Sequence, residues 1–363
     1  MALIYDDAQR QIADECERIL KAGFSGPALK QLLEQTGQYD EAFWQICVEQ
    51  GWTAIAVPEE FGGLGLGLSE QGIVALACGK AACGAPFLTT GYGVVEALKR
   101  FGSEGQHAAW LPRLAAGEAK GVICFSEGRA MLPDVPAVRF ENGRLTGTKL
   151  AVPGGAAGDV GVILAASAEG PVLVLADLSG AETERRVLST FDNSRVAADL
   201  TFNGTQAELL ASHGHDAAKT ILRLLAVVIA HEQVGGAEEV FAWARNYALE
   251  RRAFGQPLAA FQSIKHRLAE NYTAIELARG NCQYAAHHAD DPHFARFAAA
   301  ARISAIDAYD MAARDAMQIF GGLGGTWEAD LHLHQRRART LALEFGNSLF
   351  WEDDLVGELR RAS

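Results

Sequence analysis

Three long runs without proline in the second half of the chain limit what it can fold into. The first, His215 to Phe254, exceeds 30 residues, and its apolar positions recur at helical spacing from Ile221 through Tyr247. FQSIKHRLAENYTAIELARGNCQYAAHHAD is the second and ARFAAAARISAIDAYDMAARDAMQIF the third. Their Ala-rich, nearly all-round apolar character predicts helices buried on more than one face, as in a bundle that also packs on another subunit.

The rest of the chain sets this bundle in context. Residues 1 to about 118 read as helices: YDDAQRQIADECERILKA places Ile12, Cys16, Ile19 and Leu20 at helical spacing, and EAFWQICVEQ repeats the pattern with Phe43, Trp44 and Cys47. VPEEFGGLGLGLSE is a Pro/Gly-rich connection, with Ser69 placed to cap a helix from Glu70. GIVALACGKAACGAPF is a small-residue helix suited to close packing, and SEGQHAAWLPRLAAGE a capped helix that stops around Pro112 or Gly117. From about 119 to 205, short β-rich runs (GVICFSE, AVRFENGRLTGTKLAV, GVILAAS, PVLVLADL, RRVLST) are separated by Gly, Asn and Pro. Asn142-Gly143 marks a tight hairpin. Four or five strands with no helix between them predict a small antiparallel barrel or sandwich. The order is helical, β, helical, with domains expected at 1–118, 119–212 and 213–363.

A net charge of −13 argues against nucleic acid, because phosphate backbones need a basic face. No run reaches the roughly 18 apolar residues that cross a bilayer, and the start lacks a signal pattern, so no membrane and a cytoplasmic location are expected. Cys16, Cys47, Cys78, Cys83, Cys124 and Cys282 show neither C-x-x-C nor zinc spacing; reduced, buried thiols and no metal follow.

The stretch Gln318 to Asn347 concentrates chemistry-bearing residues. Glycines 321, 322, 324 and 325 permit close backbone approach to a ligand. Arg336, Arg337 and Arg339 supply positive charge suited to phosphate or carboxylate, as do Arg251 and Arg252 earlier. Glu344, in an apolar setting, is a carboxylate whose pKa burial could raise.

Four signatures in this order resemble those of the acyl-CoA dehydrogenase family over essentially the whole chain: GWTAIAVPEEFGGLGLGLSE, WLPRLAAGE, RRAFGQPLAAFQSIKHRLAE and QIFGGLGGTWEADLHLHQRRAR. The resemblance implies an α+β, mostly α fold: an N-terminal helical domain, a middle β barrel or sandwich, and a C-terminal four-helix bundle. It implies FAD held between the β domain and the C-terminal helices, with a neighbouring subunit completing the site. Arg251 corresponds to the arginine that reaches the FAD pyrophosphate across the interface. Phe254 and Gln262 flank the adenosine part, and Gln318, Gly321 and Gly322 run beside the diphosphate and ribityl chain. In the β domain, Ser126 and Glu127 match the family's Thr-Glu pair, but the proline and Gly-Ser-Asp that usually follow are missing from CFSEGRAMLPDV. Leu150-Ala151-Val152 stands where an aromatic-hydroxyl flavin contact is common.

Family chemistry removes the α-proton of a thioester with a glutamate while hydride leaves Cβ for the flavin. One family position for that base falls on Phe345, with Glu344 one residue earlier, about 100° round a helix. The other falls on Leu225; Glu232, two turns further on, reads as structural. Either Glu344 acts from a shifted register or the chain lacks the base. TWEADLHLHQRRAR is similar to a branch acting on steroid-derived CoA thioesters, often as α2β2 heterotetramers in which only one chain supplies the base. The resemblance therefore implies an FAD-dependent dehydrogenase subunit for a bulky acyl-CoA, passing electrons to an electron-transferring flavoprotein and working with a related partner chain. A self-sufficient homo-oligomer with Glu344 as base, a catalytically silent subunit that completes the FAD site, and a flavin monooxygenase or oxidase on the same fold remain alternatives.

Overall fold

The computed structural model describes residues 5–23, 26–83 and 86–361. Its first helices are α1 (Asp7–Gly23), α2 (Gly26–Glu34), α3 (Glu41–Glu49), α4 (Leu68–Ala81), α5 (Phe87–Phe101) and α6 (Glu104–Ala115). Strands follow: β1 (Gly121–Cys124), β2 (Arg139–Glu141), β3 (Arg144–Val152), β4 (Val160–Ser167), β5 (Gly170–Asp177), β6 (Thr183–Val187) and β7 (Ala198–Ala211). Then come α7 (Gly214–Glu250), a minimal hairpin of β8 (Arg252–Ala253) and β9 (Gln256–Pro257), α8 (Gln262–His287), α9 (Phe294–Phe320), α10 (Leu331–Leu341) and α11 (Ser348–Arg361). The helical–β–helical order is as expected. Two compact units result: Gln31–Gly67 with Gly84–Leu225, and Met1–Lys30 with Leu68–Cys83 and Ala226–Ser363.

The β-containing unit is built on one sheet. Asn142 and Gly143 both have positive φ, 51° and 73°, the requirement of a two-residue hairpin turn, and they join β2 to β3 antiparallel. The sheet differs from the four or five antiparallel strands expected. It has seven strands, it closes on itself through β4, β2, β3, β7 and β5, and β1 and β2 each run parallel to β4. The longest strand, β7, was hidden by Asn203-Gly204, which reads as a turn. Gly204 instead takes a φ of 85° beside the register shift at Leu145/Thr146, so the glycine makes a bulge and the strand continues. Val122, Leu145, Ile163, Val174, Leu200 and Phe202 fill the interior. In the same unit, Ser103 and Gln106 form a capping box on α6. Pro112 lies inside that helix, which ends before Gly117 (φ 68°).

The second unit is a helical bundle. Helix α4 starts at Leu68, so Ser69 lies within its first turn and is not its cap; burial of Leu68 draws the start upstream. Close packing of this small-residue helix is realised. A Cβ on Gly79 would sit 1.9 Å from the Glu232 carbonyl oxygen, and one on Gly235 1.9 Å from that of Leu76, so α4 and α7 meet backbone to backbone. Gly79→Ala gains about 1 kcal/mol of helix propensity but drives a methyl into a carbonyl that cannot swing away. Overpacking of about 1–3 kcal/mol or more wins. A lower urea midpoint is expected, and an unchanged or higher one would contradict this contact.

Helix α9 buries alanines on most of its circumference, together with Tyr309 and Arg302. Gly236 makes room for the Tyr309 ring, whose Oη lies 2.8 Å from Nδ1 of buried His334. Burial pulls the His334 imidazole down to about 3, so it is neutral. Helix α7 is by length and hydropathy long enough to cross a bilayer, although no unbroken apolar run is. Its apolar window is 89% buried, as in a core helix.

Candidate functional site

At the end of α7 the chain makes one more helical bond, from Arg251 N to Tyr247 O at 2.8 Å, then turns into the β8–β9 hairpin. Phe254 and Gly255 form its tip, with φ of 52° and 82°. A bulky side chain in the left-handed region costs about 1–3 kcal/mol, and Phe254 recovers little of that within the chain, being 96% exposed. Leu258 N returns to Arg251 O at 2.8 Å and closes the loop. Helix α8 then starts at Gln262 without a side-chain cap. Its first N–H groups are left for water or an anion.

The end of α9 lies beside this hairpin. Tyr247 stacks on Phe320 at 4.1 Å and 13°, joining the last turns of α7 and α9. Asp315, one turn before Gln318, pairs with Arg267 of α8 and accepts from Asn271 Nδ2 at 2.7 Å. Arg251, Phe254, Gln262, Gln318, Gly321 and Gly322 are thereby gathered at one end of the bundle, all exposed. Gly321 (φ 62°) and Gly322 have no described residue beyond their chain neighbours within 4 Å of where a Cβ would stand, and the Arg251 guanidinium has no partner among the described residues. A free arginine, an uncapped helix start and bare glycine backbone suit a dinucleotide diphosphate.

Ser126 belongs to the β-containing unit. Fully buried Lys149 donates to Phe125 O at 3.1 Å and to Glu127 Oε1 at 2.6 Å. Glu127 also accepts from the N–H groups of Ala137 and Val138. Burial disfavours the Glu127 carboxylate, but these partners outweigh it and its pKa is lowered; burial pulls the Lys149 ammonium down. The pair pins the segment that carries half-buried Ser126, whose carbonyl accepts from Leu150 N at 3.1 Å.

The base region is a turn, where a helical continuation formed the expectation. Helix α10 stops at Leu341; Leu343 N and Glu344 N both bond Thr340 O, and Phe345 and Gly346 then take φ of 54° and 106°. Glu344 is 8% exposed and Phe345 3%. The carbonyls of Leu341, Glu344 and Gly346 all accept from Arg302, a fully buried guanidinium of α9. Burial pulls Arg302 down to about 10, opposed by the charges of Glu344 and Glu232. In the other unit, Leu225 is fully buried and packs at Gly93 of α5. Glu232 is structural as expected: it pairs with buried Arg337 at 3.0 Å. That pairing corrects the reading of the basic cluster as an anion site. Arg337 also donates to the carbonyls of Cys83 and Ala82, and Arg339 pairs with Asp310 at 3.0 Å.

Arg302 escaped the sequence reading. The available signal was an arginine placed directly after the alanine run 298–301, on a helix apolar nearly all round. A cavity of about 300 Å³ in the helical unit, lined in part by Leu20, Ala77, Trp243, Leu333 and His334, touches none of the candidate residues.

Comparison with known proteins agrees with this architecture. Residues 6–118 match the acyl-CoA dehydrogenase N-terminal domain and residues 212–349 the acyl-CoA dehydrogenase C-terminal domain. Acyl-CoA dehydrogenase IpdE2 of Mycobacterium tuberculosis is 30% identical over 332 residues, covering 91% of each chain. Among solved structures, a variant of the Tcur3481-Tcur3483 steroid ACAD superposes with a TM-score of 0.90 at 22% identity, covering 98% of each chain. The ChsE4-ChsE5 complex of Mycobacterium tuberculosis gives 0.88 at 23%, covering 100% of this chain and 98% of that one. At these identities the two structures speak to the fold. The chain belongs to the acyl-CoA dehydrogenase family, oxidoreductases that act on CH–CH bonds and carry FAD.

Proposed function

We propose that this chain is one subunit of a heteromeric, FAD-dependent acyl-CoA dehydrogenase, and that a related partner chain supplies the catalytic base. Arg251 and the α8 N-terminus hold the cofactor diphosphate across the subunit interface. Phe254 and Gln262 flank its adenosine, the backbone at Gln318, Gly321 and Gly322 runs beside its diphosphate and ribityl chain, and Ser126 meets the flavin from the β domain. Bound FAD supplies the acceptor for the hydride leaving Cβ of the acyl group. The substrate is a bulky, steroid-derived acyl-CoA, a reading supported by similarity to a steroid ACAD; a two-chain assembly is supported by similarity to the ChsE4-ChsE5 complex. Electrons then pass to an electron-transferring flavoprotein. The location is cytoplasmic.

One observation carries this reading. The Arg251 guanidinium is exposed with no partner among the described residues, while both positions where the family places its base, Phe345 and Leu225, hold buried apolar side chains. The nearby carboxylate, Glu344, belongs to a buried turn whose main-chain carbonyl accepts from Arg302 Nη2 at 2.8 Å, one residue out of step with the family position. Proton abstraction therefore falls to the partner. The test is Glu344→Gln in the co-expressed pair, with turnover normalised to bound flavin. A rate within about twofold of wild type is expected; loss of a true general base costs about 10²–10⁴-fold, and a drop of that size would make Glu344 the base.

A further inference from the structure

The cavity of about 300 Å³ lies wholly within the helical unit, where α1, α2, α4, α7 and α10 contribute to its lining. That volume is at the lower end of the range of small-molecule sites, about 300–1,000 Å³. The walls are apolar at Leu20, Leu29, Ala77, Trp243 and Leu333. Five charged side chains also line it, and each already has a partner in this chain. Lys21 pairs with Glu17 at 2.5 Å, Lys80 with Glu238 at 3.3 Å and Asp330 with Lys30 at 2.7 Å. Glu239 accepts from Trp243 Nε1 at 2.8 Å. A charged ligand would have to break one of these arrangements; an uncharged one would not.

His334 is the exception in this lining. It is only 2% exposed, and Tyr309 Oη occupies its Nδ1 at 2.8 Å. Its Nε2 has no partner among the described residues, yet it is not among their sealed, unpaired atoms. An unsealed nitrogen on a buried residue that lines a cavity is reached from that cavity. Burial keeps the imidazole neutral. A neutral imidazole has one donor and one acceptor nitrogen, and with Nδ1 committed to Tyr309 the free Nε2 takes whichever role remains. A hydroxyl, donor and acceptor at once, answers either tautomer. The Trp243 ring stands 5.0 Å from that of His334 and at 87° to it, an aromatic wall beside the one open polar atom.

We propose that this cavity binds an uncharged ring compound carrying one hydroxyl, with the ring against Trp243 and the hydroxyl on His334 Nε2. None of the residues proposed to hold FAD lines it, nor do Leu225, Glu344 or Phe345. The site therefore goes beyond the dehydrogenase reading and does not rest on it.

The probe is 2-naphthol, measured against the full chain by equilibrium dialysis at pH 7, with naphthalene and 2-naphthoate compared under the same conditions. Wild type should bind 2-naphthol at one site, on the order of tenfold more tightly than naphthalene, as one hydrogen bond allows. The anionic 2-naphthoate should bind more weakly than either. His334→Phe should bind naphthol and naphthalene equally, whereas His334→Gln, whose amide again donates and accepts, should keep part of the preference. This ratio is read on one protein, so a general loss of stability does not mimic it. Ala81→Phe fills the cavity from α4 and leaves the Tyr309–His334 pair in place. It should abolish binding of both compounds with an unchanged thermal melt. If His334→Phe does not fold, the wild-type ratio and Ala81→Phe decide the matter. The proposal is overturned if wild type binds 2-naphthol no better than naphthalene, if a folded His334→Phe keeps the preference, or if Ala81→Phe binds like wild type. Tighter binding of 2-naphthoate would also overturn it, making the cavity an anion site.

Discussion

Arg251→Ala should strip flavin from the assembled enzyme while leaving this subunit folded. The guanidinium is exposed, has no partner among the described residues, and sits where α7 turns into the hairpin, so its removal strands no buried group. A charge-assisted hydrogen bond contributes about 1.5–3 kcal/mol, and a planar fork can make two to one diphosphate. At about 1.4 kcal/mol per tenfold, FAD affinity should fall on the order of 10- to 100-fold, with the melting curve of the isolated chain unmoved. Titration of apo-assembly with FAD checks this. Equal affinity would remove Arg251 from the cofactor site, whereas early melting would make it a structural residue.

Arg337→Met should do the opposite, costing stability first. Its guanidinium pairs with Glu232 and donates to the carbonyls of Cys83 and Ala82, all within the helical unit and largely dry. Removing one partner of a buried pair leaves the other charge uncompensated, a loss of about 3–5 kcal/mol. The double change Glu232→Leu with Arg337→Met removes both charges and should recover a good part of that loss, because two apolar side chains leave no charge buried. Thermal or urea unfolding of the two variants distinguishes the cases. A single variant as stable as wild type would mean that the pair is solvated and the basic cluster is free for ligand after all.

These expectations show where local sequence informs and where it stops. Helical periodicity is a property of neighbours three and four apart, so α7, α8 and α9 could be read directly from Ile221 to Phe320. The Asn142-Gly143 hairpin was legible for the same reason, since both residues tolerate positive φ. Strand β7 was not. Gly204 carries an identical local signal for a turn and for a bulge, and only the partner strand β3 decides between them. The residue types at the proposed cofactor end, Arg251 and Gly321-Gly322, were legible as chemistry. Their convergence followed only from the family resemblance and not from local pattern, because it depends on Tyr247 meeting Phe320, 73 residues further on. Charge misled at Arg337: a guanidinium looks the same in sequence whether it faces a phosphate or a buried glutamate. For Glu344, counting along the motif located the region but assumed a helix. The turn there is fixed by Arg302, 42 residues upstream.

The central claim, that this chain completes a flavin site it cannot use alone, is tested most directly by co-expression with a related family chain. The measurement is flavin-band absorbance of the purified protein before and after addition of an acyl-CoA. This chain by itself should be colourless and unresponsive; purified with its partner it should be yellow and bleach. A yellow preparation of this chain alone that bleaches with acyl-CoA would contradict the account.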